Sequence, residues 1–128
     1  MGVHPPRPTD AELAILRVLW DRGASTVRDI LEVFDEVKPT GYTTVLKLLQ
    51  IMTDKKLVRR DTSERTHVYE ARLTEQQTQR QLVGDLLARA FDGSAAKLVM
   101  QALATTSASP EELEAIRRLL DRHTGSHS

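Results

Sequence analysis

Leu13, Leu16, Leu19 and Trp20 recur at intervals of one, three and four residues, the spacing of one buried helix face. The helix they predict opens at Thr9-Asp10-Ala11-Glu12. There the Thr9 hydroxyl and the Glu12 carboxylate can each satisfy an orphan backbone N–H. Gly23 is placed to end it, because a residue without Cβ enters the left-handed region at little cost. Val27, Ile30, Leu31 and Phe34 predict a second helix, with Ser25 or Thr26 as its cap. Trp20 and Phe34 are read as core residues. Pro39 and Gly41 then break the chain.

A third helix follows, with Val45, Leu48, Leu49 and Met52 on its apolar side. Thr40, Thr43, Lys47 and Gln50 fall on the opposite face, and Tyr42 on the flank. From there the period shifts to two. Leu57–Arg60 and His67–Ala71 read as strands joined by a polar turn, with Arg59, Arg60 and Arg65 around it. His67, Tyr69 and Ala71 share one face of the second strand, Val68 and Glu70 the other.

After Leu73 helical spacing returns. Thr74-Glu75-Gln76-Gln77 is a second capping box, ahead of Leu82, Leu86, Leu87, Ala90 and Phe91. Asp92-Gly93 stops that helix. Ser94–Thr105 carries Leu98, Val99 and Leu103 on one side. Ser109-Pro110-Glu111-Glu112 opens a last helix, its proline at the position where no N–H is needed. Leu113, Ile116 and Leu120 form its stripe, which ends near Arg122.

The expected fold is mainly α. A winged helix-turn-helix over residues 9–73 (three helices and a β-hairpin wing) is followed by helices over 74–123. Residues 1–8, with three prolines, are expected to form a flexible arm, and 124–128 a flexible tail. The C-terminal stripes offer too few apolar residues to bury one another within one chain. A second copy would cover them through a two-fold interface. Dimerisation is therefore assigned to Leu82, Leu86, Leu87, Phe91, Leu98, Val99, Leu103, Leu113, Ile116 and Leu120.

Composition adds exclusions. Without cysteine there are no disulfides and no thiolate metal sites. The four histidines lack the spacing of a catalytic zinc helix, and His67 is read as a strand-face residue. No nucleophile elbow, phosphate loop or dinucleotide fingerprint is present, so neither an enzyme nor a cofactor is expected. The apolar runs are too short to span a bilayer and the N-terminus lacks a signal-peptide pattern, so a cytoplasmic location without membrane insertion is expected.

The net charge of zero argues mildly against nucleic acid, but its distribution does not. Residues 38–72 hold 8 basic and 4 acidic side chains, net +4, against −3 for residues 1–37 and −1 for 73–128. The positive charge thus sits on the third helix and the hairpin. A helix with a small, polar, cationic face followed by a basic hairpin suits double-stranded DNA. The groove-facing candidates are Thr40, Thr43, Thr44, Lys47 and Gln50. Tyr42, Arg59, Arg60 and Arg65 are the candidate backbone contacts. The rival reading is a winged-helix module that docks protein and does not bind DNA specifically.

Several of these residues are also similar to a known family. Leu13…Leu19-Trp20, Tyr42-Thr43-Thr44-Val45, Lys56-Leu57-Val58, Arg65…Val68-Tyr69, Phe91-Asp92-Gly93-Ser94…Leu98-Val99 and Leu113…Leu119-Leu120 resemble the penicillinase-repressor family (BlaI/MecI type). The resemblance covers roughly residues 9–122. It implies a homodimeric winged-helix repressor that sits on a dyad-symmetric operator and blocks transcription. It also implies one further partner, a membrane-bound sensor protease that cuts the repressor at an Asn-Phe pair. Gln101-Ala102 occupies the corresponding place here, which argues against that route. The family's copper-responsive branch uses cysteines this chain lacks. The wing holds Glu64 before Arg65, where the family usually has glycine.

Overall fold

The computed structural model describes residues 7–35 and 41–125. In chain order its elements are α1 (Asp10–Arg22), α2 (Val27–Asp35), α3 (Tyr42–Asp54), β1 (Val58–Asp61), β2 (Val68–Ala71), α4 (Glu75–Ala90), α5 (Ala95–Thr105) and α6 (Pro110–Gly125). Three helices and an antiparallel two-stranded wing make the winged helix-turn-helix, and further helices follow. The chain divides into two units, residues 1–83 and 84–128, with the boundary inside α4.

In the first unit, α1 starts at the capping box read from sequence. The Glu12 N–H donates to Thr9 Oγ1 at 3.2 Å, and the Thr9 N–H donates to Glu12 Oε1 at 2.9 Å. Its core side is centred on Ile15, Leu16, Val18 and Leu19, while Leu13 and Trp20 pack at the margin. Gly23 ends the helix at φ 85° and ψ −163°. That is the extended region at positive φ, not the left-handed helical one that the sequence suggests. Thr26, not Ser25, caps α2: the Asp29 N–H donates to Thr26 Oγ1 at 3.1 Å, and the Thr26 N–H to Asp29 Oδ2 at 3.0 Å.

Ser25 does something else. It is buried and pairs with Tyr69 of β2 through Ser25 N–H to Tyr69 O at 2.9 Å and Tyr69 N–H to Ser25 O at 2.8 Å. This bridge occupies the free edge of β2 and ties the wing to the turn between α1 and α2. In the hairpin, Val58 faces Ala71, Arg59 faces Glu70, Arg60 faces Tyr69 and Asp61 faces Val68. The strands thus run one residue later at β1 and begin one residue later at β2 than the alternation predicts. Leu57 is buried but belongs to the connection.

How α3 ends explains that shift. Lys56 adopts φ 66°, its N–H returns to Thr53 O at 3.1 Å, and the Leu57 N–H returns to Met52 O at 2.9 Å. This is a Schellman closure with buried Leu57 and Met52 at its hydrophobic positions, and with lysine where glycine is usual. It turns the chain directly from α3 into the wing. The core these elements enclose contains Ile15, Leu16, Ile30, Val45, Leu49, Met52, Val58 and Tyr69.

One charged pair lies at the margin of that core. Glu12, 2% exposed, accepts from Lys55 Nζ at 2.9 and 3.0 Å. Burial pushes the Glu12 carboxyl up, but the hydrogen bonds from Lys55 and the Thr9 N–H, with the Lys55 charge, outweigh it and hold the group below its usual value. The pair joins the start of α1 to the end of α3. Trp20 Nε1–H donates to Leu73 O at 2.9 Å and so fixes the chain where it leaves the wing for α4.

The remaining helices begin as their caps predict. Thr74 and Gln77 cap each other's N–H groups at 2.9 and 3.0 Å, Ser94 accepts from the Lys97 N–H, and Ser109 pairs with Glu112 around Pro110. α6 runs to Gly125, three residues past the predicted end, so residues 124 and 125 are helical and not tail. None of residues 84–124 is buried.

Candidate nucleic-acid interface

α3 has two faces because its apolar residues recur at helical spacing. Val45, Leu49 and Met52 are fully buried, with Leu48 partly so. Thr43, Thr44, Lys47 and Gln50 are all exposed on the other side, within an arc of about 120° at 100° per residue. Ile51, 39% exposed, lies inside the same arc and was not singled out by the sequence reading. Its helical position, seven residues after Thr44 and so on the same side of the helix, was the available signal. An exposed apolar group there can contact a thymine methyl. Thr40 lies outside the described residues.

Tyr42 is half-exposed on the flank of α3, one residue after the N-cap Gly41. Gly41 offers no side-chain cap, so the first N–H groups of α3 have no side-chain acceptor from it. Such groups can serve a phosphate.

The wing arginines are not equivalent. Successive residues of a strand point to opposite faces, so Arg59 and Arg60 project from opposite sides of the wing. Arg59 stands beside Glu70, Nη1 to Oε1 at 3.3 Å, on the face away from the core. Arg60 is opposite Tyr69 and exposed. The turn beyond β1 is shaped by Asp61, whose Oδ1 accepts the Ser63 N–H at 2.9 Å. That bond, with a second from the Ser63 hydroxyl, holds the Asp61 carboxyl below its usual value. Arg65 follows, exposed on the turn.

Between α3, α2 and the wing lies a cleft of about 330 Å³ that the sequence did not reveal. Arg28 from α2, Tyr42 and Leu46 from α3, and Arg65, His67 and Tyr69 from the wing line it. Tyr42 and Arg65 were singled out separately; Arg28 and His67 were not considered as partners. No local pattern could join them, since 37 residues separate Arg28 from Arg65.

An outward polar helix face, a basic wing beside it and a supporting three-helix core define a winged-helix DNA-binding protein. The profile of the penicillinase repressor family matches residues 8–122, and the chain belongs to that family. It is accordingly a DNA-binding transcriptional regulator. Among solved structures, the DNA-binding domain of the repressor BlaI superposes with a TM-score of 0.51 at 19% identity, over 58% of this chain and 90% of that one. RosR of H. salinarum superposes with a TM-score of 0.54 at 17% identity, over 96% of this chain and 99% of that one. At these identities the likeness is one of fold. A comparison with curated proteins gave no significant match. Among the described residues, no helix is long and apolar enough to cross a membrane.

Proposed function

We propose that this chain is a transcriptional repressor that binds a dyad-symmetric operator as a homodimer. The observation that carries the reading is the exposed arc of α3, flanked by the basic wing. Thr43, Thr44, Lys47 and Gln50, with Thr40, read base edges; Tyr42, Arg59, Arg60 and Arg65 grip the backbone. Arg59 is available for this because an exposed pair such as Arg59–Glu70 is worth only about 0–1 kcal/mol and exchanges readily for phosphate.

Residues 9–73 form the reading head and 74–123 the dimerisation segment. Support for the dimer comes from apolar side chains that one chain leaves in water. Leu86, Val99, Leu103, Leu113 and Leu120 are exposed, and Leu82, Leu87, Phe91, Leu98 and Ile116 are only partly covered. A second copy buries both sets, and two heads then read two half-sites. Gln101 and Ala102 lie inside α5, where a protease would first have to unwind the helix. Cutting there is thereby disfavoured as the route that relieves repression.

Fluorescence-anisotropy titration against the DNA upstream of the protein's own gene, across salt and with random DNA as control, tests the reading. Tight binding with footprints on two symmetric half-sites is the expected result. Absence of binding at any salt would overturn it in favour of a protein-docking surface.

A further inference from the structure

The cleft between α2, α3 and the wing brings together two guanidinium groups, an imidazole and two phenols from three separate segments. Thr26 and Thr66 add hydroxyls at its rim, and Val27, Leu46 and Tyr69 supply apolar lining. No carboxylate is among the described lining residues. Asp29, next to Arg28 in the chain, spends its Oδ2 on the Thr26 N–H. Arg28, Arg65 and His67 form no ion pair with another described residue, whereas Arg59, on the opposite face of the wing, does.

We infer that this cleft seats one phosphate of the DNA backbone, with Arg28 as its principal cation, Arg65 and His67 closing from the wing, and the Tyr42 hydroxyl donating from α3. The inference rests on the proposed DNA reading and adds Arg28 and His67 to it. The chemistry is that of an anion with several acceptor oxygens, because donors approach from three sides. Arginine's fork of N–H groups matches such a ligand. The place is right as well: Tyr42 and Leu46 lie on the flank of the reading arc, where a backbone borders the groove that α3 enters. The seat is also held in shape beforehand, since the Ser25–Tyr69 bridge ties the wing to the start of α2.

The test compares the full chain with Arg28→Ala and His67→Ala on operator and random DNA across a salt series, with melting curves to confirm that each variant folds. Arg28→Ala is expected to weaken binding about tenfold on both DNAs and to flatten the slope of log K against log salt by about 0.9. Unchanged affinity and slope, with the unaltered chain still binding DNA, overturns the seat and leaves the repressor reading standing. Weakening on the operator alone overturns it too, since Arg28 would then read a base. A second arm follows backbone amide shifts by NMR as inorganic phosphate is added. Shifts confined to residues 26–28, 42 and 65–67, and lost in Arg28→Ala, are expected; the same shifts in a chain that binds no DNA would overturn the assignment to the DNA backbone and make free phosphate the ligand. If the chain binds no DNA and phosphate moves none of these amides, the seat is refuted.

Discussion

Replacing Lys55 by alanine isolates the Glu12–Lys55 pair at the margin of the core. Glu12 is 2% exposed and takes both contacts from Lys55 Nζ, at 2.9 and 3.0 Å. Without Lys55 the carboxylate keeps only the bonds to Thr9. Removing one partner of a fully buried pair costs roughly 3–5 kcal/mol. Lys55 retains 27% of its side-chain surface in water, so water can partly replace it, and a loss of about 2–3 kcal/mol is expected at pH 7. The effect has a signature in pH. In the unaltered chain Glu12 titrates below its ordinary value of 4.5, so its contribution is complete above that value and is lost as the pH falls through the folded-state value. In the variant, burial acts unopposed by the Lys55 charge and raises the carboxyl, which protonates first on acidification and relieves the defect. The difference between the two chains should therefore shrink toward pH 3.5. Trp20 is the only tryptophan and sits within the first unit, so its fluorescence in urea titrations at fixed protein concentration reports the relevant unfolding. A loss under about 0.5 kcal/mol at pH 7, or one equally large at pH 3.5, refutes the reasoning.

Three other changes test separate parts of the structure. Lys47→Ala should cost about 1–3 kcal/mol of operator affinity and little on random DNA, measured by anisotropy; equal losses on both would make Lys47 a phosphate contact. Leu120→Asp, at a side chain 59% exposed in one chain, should leave the melting of the first unit unchanged while shifting sedimentation from dimer to monomer and removing half-site cooperativity. A dimer that persists would exclude Leu120 from the interface. Lys56→Gly should raise stability by about 0.5–1 kcal/mol in urea titration, because glycine accepts the positive φ that lysine adopts at a cost; no gain would mean that chain entropy offsets the strain.

Local features of the chain were legible in its sequence because their causes lie within a few residues. The Thr9–Glu12, Thr74–Gln77 and Ser109–Glu112 boxes each join residues three apart, and all three form. The period of Val45, Leu49 and Met52 fixed which side of α3 faces inward, and so which residues remain outside. The run of strand residues followed by a polar turn gave the wing, and only its ends moved. Those ends moved because the Schellman closure at Lys56 draws Leu57 into the connection, a choice made by its contact with Met52.

Tertiary structure alone decided what depends on residues far apart. Thr9–Glu12 reads as a local cap, yet Glu12 also holds Lys55, 43 positions on. Ser25 reads as a cap and instead closes the edge of β2. Arg28 carries no signal in the local sequence, and folding places it in one cleft with Tyr42, Arg65 and His67. Each of these pairings requires closing a long loop, and burial of the shared core provides the free energy for that closure. The contacts follow from the assembled core and not from any neighbouring pattern, which is why sequence spacing determined the elements of this protein and their faces, whereas packing determined the cleft, the buried ion pair and the edge of the wing.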